Sequence, residues 1–133
     1  SPHPDDDVIS MGGTLDRLVA QGHDVHVAYQ TSGNIAVSDK EALKFAEISK
    51  ALSPDSTASQ KVIDFLKEKT ENDIDSPEAR RLKGLIRRSE SLAATRYLGL
   101  DDKNIHFLNL PFYETGRSKK IIYLKMIWIL WVV

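Results

Sequence analysis

The stretch His3-Pro4-Asp5-Asp6-Asp7 sets one imidazole and three carboxylates in consecutive positions, broken only by a proline. Neutral imidazole nitrogen and ionised carboxylate oxygen are ligands for borderline divalent cations. Three carboxylates this close repel one another, so the cluster costs stability unless a cation or several donors offset it. Pro4 restricts His3 to extended backbone and offers no N–H, after which the chain is expected to bend into a helix. Residues three apart on a turn share a face, so His3 and Asp6 can converge on one ion. Asp5, projecting beside them, can take a proton from a water whose pKa such an ion lowers to about 7. A metal-assisted hydrolase is the leading expectation. The alternative is capping: Asp at a helix start accepts from orphan N–H groups and suits the dipole. Capping accounts for one Asp and not for a histidine with three. A catalytic zinc normally takes three protein ligands and a water, and this turn offers two.

Elements that could position this cluster follow from periodicity. Val8, Ile9, Met11, Leu15, Leu18 and Val19 give an apolar helical face over 7–21, ended by Gly22 as a C′ residue. The alternation through 24–30 predicts a strand, and Thr31-Ser32-Gly33-Asn34 a loop at its far end. Ser38 or Asp39 caps a helix to about Leu52, and a second runs from about Ala58 to Lys69. Ser76 and Pro77 open a long third helix that stops at Gly99. Residues 104–110 predict a second strand, closed by Pro111. Strands alternating with helices imply an α/β fold: a Rossmann-like parallel sheet with flanking helices. In such sheets the ligand lies beyond the carboxyl ends of the strands. The opening turn, the Thr31–Asn34 loop and the loop after Leu110 should therefore meet.

The cluster begins at residue 3 with nothing before it to hold it, so a strand upstream is expected to be missing from the chain. At the other end, residues 121–133 are apolar apart from Lys125 and hold both tryptophans. Residues 119–133 therefore form an atypical tail, either a buried strand or short helix or a foreign segment such as a reading-frame slip. The run is too short for a membrane span, which needs about 20 apolar residues.

The chain has 133 residues, 41% hydrophobic and 28% charged, which fits one globular domain at most. A formal net charge of -1 gives no reason to expect nucleic acid or an anionic membrane as partner. Absence of cysteine excludes disulfides, thiolate metal sites and thiol catalysis, and fits a reducing, cytoplasmic setting. The opening residues do not read as a signal peptide. His23 and His26 are expected to be core or surface histidines, with no second ligand type beside them, and His106 to pack within its strand. Gly12-Gly13 lacks the GxGxxG spacing of a dinucleotide site and is expected to let its helix approach the sheet. The Thr31–Asn34 loop can contact a sugar or phosphate, though such loops are common.

His3-Pro4-Asp5-Asp6 resembles the HPDD(E) signature of the LmbE/PIG-L deacetylases. Arg87-Arg88-Ser89-Glu90, with Ala93-Ala94 and Leu98-Gly99, resembles that family's RRxE…AA…LG helix, and Asn104 to Pro111 its following strand and substrate loop. The polar insert Asp73–Pro77 and the stretch Leu110–Gly116 are similar to the LmbE-like module fused to glucosamine-6-phosphate deaminase-like proteins. The resemblance spans residues 1 to about 118. It implies zinc or another divalent metal held by His3 and Asp6, Asp5 as general base, and Arg87 near the substrate. It implies a small-molecule amino-sugar conjugate as substrate and removal of its N-acetyl group. Arg87 and Glu90, at i,i+3, are alternatively a surface ion pair. Two departures stand out. Asp7 replaces the usual Glu, and the family's third ligand comes from a downstream His-rich motif, whereas no histidine follows His106. The chain is therefore expected to be a partial domain. The alternative to catalysis is a non-catalytic or regulatory fragment of such a fusion protein.

Overall fold

The computed structural model describes residues 1–112, 114 and 115, and the apolar tail at 119–133 lies outside them. The element order is α1 (Asp6–Ala20), β1 (Val27–Tyr29), α2 (Asp39–Leu52), α3 (Thr57–Glu68), α4 (Pro77–Tyr97) and β2 (Ile105–Phe107), with single 3₁₀ turns at Asn34–Ala36 and Asp102–Asn104. β1 and β2 are parallel, with Tyr29 opposite Phe107. The described chain is thus α/β, with a small parallel sheet and three helices in the crossover between its strands.

Local chemistry explains the boundaries. Ser38, Ser56 and Ser76 each accept from an N–H of the first turn of the helix they precede, which satisfies one of the orphan donors there. α1 and α4 both close on a left-handed glycine. At Gly22 (φ 77) the N–H of His23 reaches back to the Leu18 carbonyl, and at Gly99 (φ 86) the N–H of Leu100 reaches back to that of Thr95. The strands, Val27–Tyr29 and Ile105–Phe107, are shorter than the 24–30 and 104–110 segments expected, although the Leu108 and Leu110 N–H groups still donate to the Tyr29 and Gln30 carbonyls.

On the edge of β1 away from β2, the Ser1 ammonium donates to the Ala28 carbonyl at 2.9 Å. The Gln30 N–H donates to the Ser1 carbonyl at 2.9 Å. This is the bonding of a parallel ladder, and it fixes the direction in which the opening turn leaves β1.

Two apolar clusters form. Val37, Ala42, Ala46, Val62, Ile63, Leu66, Ala79 and Ile86 join α2, α3 and α4. Leu15, Val27, Tyr29, Leu100 and Ile105 join α1 to the sheet. The apolar face expected of α1 is only partly used, since Leu15 is buried while Val8, Ile9 and Met11 are exposed. Gly12 and Gly13 do not bring α1 onto the sheet either. A Cβ on Gly13 would meet nothing within 4 Å, and one on Gly12 only Val8 of the same helix. Among the described residues no helix is long and apolar enough to cross a membrane.

Candidate active site

The opening turn sits where β1 ends. The Thr31 N–H donates to the Pro2 carbonyl at 3.1 Å, and the Thr31 hydroxyl donates to the same oxygen at 2.9 Å. Gly33 is left-handed (φ 65), and a Cβ there would lie 2.8 Å from Pro4 Cδ. Only glycine admits both that backbone and that approach.

His3 and Asp6 meet: Nδ1 lies 2.9 Å from Asp6 Oδ2, which also accepts from the His3 N–H at 3.0 Å. The His3 hydrogen bond holds the Asp6 carboxyl below the usual carboxylate range, and burial opposes it. Asp5, between them, turns elsewhere. Its φ of 134 is a backbone region that L-residues avoid, a strain of order 1–3 kcal/mol. That bend delivers Asp5 Oδ2 to Arg87 Nη2 at 2.5 Å. Arg87 also donates to the Pro4 carbonyl, and its Nη1 reaches Glu90 Oε2 at 2.5 Å. The Arg87–Glu90 pair thus exists, but Arg87 is only 16% exposed. It is a strut from α4 to the opening turn rather than a surface pair.

Asp7 points inward, where the Tyr29 hydroxyl donates to its Oδ2 at 2.7 Å. Burial, and then Asp7, push the Tyr29 phenol well above its ordinary range, so it stays a neutral donor. Asp7 Oδ1 is buried without a partner among the described residues.

Of these groups His3, Asp5, Thr31, Gly33 and Arg87 line a cavity of about 590 Å³ together with Asn34, and Ile35, Ala36 and Phe112 form its apolar part. The three expected segments do meet. The third is tied in where Asn34 Nδ2 donates to the Glu114 carbonyl at 2.9 Å. Asn34 is 3% exposed and also accepts from the Ser32 hydroxyl at 2.9 Å. Its central place was not legible in sequence, where Gly33-Asn34 signals only a turn.

His3 Nδ1 and Asp6 Oδ2 are the nitrogen and oxygen donors that suit zinc, converging from one turn, and they fit two positions of such a site. Among the described residues no group of three or more His, Cys, Asp or Glu is placed to hold a metal.

His23 and His26 are surface residues, one of the two placements expected of them, but His26 does not stand alone. His26 Nδ1 lies 2.9 Å from His106 Nε2, with Asp24 Oδ1 3.3 Å from His26 Nε2. His106 is exposed rather than packed, because strand alternation turns Ile105 inward and His106 out beside His26.

Comparison with known proteins bears on the whole chain. The model of one protein family, described as PIG-L: GlcNAc-PI de-N-acetylase, matches residues 1–129. A glucosamine-6-phosphate deaminase-like protein of Bacteroides thetaiotaomicron is 52% identical over 129 residues, which cover 90% of this chain and 20% of that protein. The chain therefore spans about a fifth of the length of the curated relative it matches. No solved structure matches the chain.

Proposed function

The chain belongs to the PIG-L family of deacetylase-type hydrolases, and from that premise we propose that it is a metal-dependent N-deacetylase acting on a small amino-sugar conjugate. The observation that carries this reading is the 2.9 Å meeting of His3 Nδ1 and Asp6 Oδ2 next to a cavity that His3 and Asp5 line. His3 and Asp6 would hold zinc as two of its ligands. Zinc, when bound, supplies Lewis acidity toward the amide carbonyl.

The chain's own groups would do the rest. Asp5 serves as general base for the attacking water. Arg87 holds one Asp5 oxygen in place, and Oδ1 has no hydrogen-bond partner among the described residues, leaving it for the water. Thr31, Gly33 and Asn34 form the polar wall against which a sugar would lie, and Ile35 and Phe112 the apolar part that sheds water. Asp7, through Tyr29, anchors the start of α1 and so the geometry of His3 and Asp6.

The test is acetate release from an N-acetylglucosamine derivative in the presence of zinc. Asp5→Asn keeps shape and removes basicity, so kcat should fall by about 10²-fold or more. Undiminished turnover in Asp5→Asn removes the assigned role. A second reading has support in the one-fifth coverage of the relative: the chain acts as a non-catalytic or regulatory module of a longer protein with a deaminase-like part. Saturable binding of the same sugar without acetate release in the presence of zinc favours that reading.

A further inference from the structure

A second cavity, of about 530 Å³, lies across the opening turn from the first. The two share Asn34, and Pro4, which lines the second, sits between His3 and Asp5, which line the first. Among the described residues its walls carry Arg80, Arg81 and Arg88 from one side of α4 and one carboxylate residue, Glu114. Ser32 and Asn109 complete it from the ends of the two strands. It therefore occupies the crevice beyond the carboxyl ends of a parallel sheet, where such folds bind ligands.

These arginines are not consumed by the fold. Lys69 and Lys83 each bind both Asp39 and Asp75, so their charge is spent within the protein. Arg80, Arg81 and Arg88, in contrast, form no ion pair among the described residues. The Arg88 guanidinium carbon lies over the Phe107 ring, 4.2 Å from its centre, a cation–π contact that uses none of its N–H donors. Arg80 and Arg81 stand in the first turns of α4, whose N-terminal residue is Pro77. Unpaired, they leave positive charge on this wall, which an anion in the cavity would meet with charge-assisted hydrogen bonds. Close approach supports the same wall, since a Cβ on Gly84 would lie 3.3 Å from Ser32 Cβ.

We propose that this cavity is an anion subsite that receives a phosphate monoester on the substrate, so that the preferred substrate is a phosphorylated N-acetylated amino sugar spanning both cavities. The substrate half of this inference rests on the deacetylase reading; the anion half does not.

Two measurements separate them. Inorganic phosphate is titrated against the chain by ³¹P NMR, and acetate release is measured for an N-acetylated amino sugar with and without a phosphate monoester. The expected result is saturable phosphate binding that weakens at least tenfold in R80Q/R81Q and is largely kept in R80K/R81K. A matching thermal melt shows that the variants fold. The ratio of kcat/KM for the phosphorylated over the plain sugar should also fall at least tenfold in R80Q/R81Q. Phosphate binding that is absent, or equal in wild type and R80Q/R81Q, overturns the subsite. Arginine-dependent phosphate binding with no acetate release from either sugar upholds the subsite and counts against the deacetylase reading. Equal kcat/KM for the two sugars in wild type overturns the substrate assignment.

Discussion

Tyr29 is the residue on which the opening turn leans. It is fully buried, and its hydroxyl is the partner the structure gives to Asp7, whose other oxygen has none among the described residues. Tyr29→Phe keeps the ring and removes the donor, leaving a buried carboxyl with no partner in the described structure. The expected loss is about 1–3 kcal/mol, read from urea unfolding. The pH dependence has a definite sign. Tyr29 keeps its proton in the folded chain well above the ordinary tyrosine value of 10.0. Its contribution is complete below about pH 10 and is lost as pH rises beyond it, because the unfolded chain ionises first. Tyr29→Phe should flatten the alkaline arm of a stability profile above about pH 10; an unchanged arm removes this role. The sequence marks Asp7 as a carboxylate beside a metal-like cluster. Its inward aim depends on β1 packing against α1, which local pattern does not encode.

At the scale of elements, the helices were legible and the strands less so. Serine caps, Pro77 at the first turn and left-handed glycines are local chemistry: α2, α3 and α4 start where the serines stand, and α1 and α4 close on glycine. Strand length depends on a partner, and β1 and β2 pair over three residues each. No spacing rule announced how the elements are fastened. Lys83 on α4 and Lys69 just past α3 share Asp39 and Asp75, with Lys83 at 4% exposure. Burial opposes ionisation of Asp39, but hydrogen bonds from both lysines outweigh it and hold the carboxyl below its usual value. Lys83→Met leaves the aspartates with a missing countercharge and should cost about 3–5 kcal/mol in urea unfolding. A loss under about 1 kcal/mol would show that water already reaches the network.

For the molecule as a whole, ligand binding to the native state alone raises stability by mass action, by about 2.7 kcal/mol at a hundredfold excess over Kd. Zinc should therefore raise the melting temperature of the chain, and His3→Ala should remove the rise. Equal melting of both proteins with and without zinc would sink the assignment of His3 as a ligand. The α/β class, most helix ends, the family and the chemical character of the opening turn can all be read from residue order. Each of these is set by residue type and short spacing. It took packing to reveal that Asp5 turns to Arg87 while His3 turns to Asp6, that Asn34 ties its loop to the segment after Leu110, that His26 meets His106, and that the arginines of α4 line a cavity. Those contacts join residues far apart in the chain, and their geometry follows from how the helices and strands pack, which no local pattern carries.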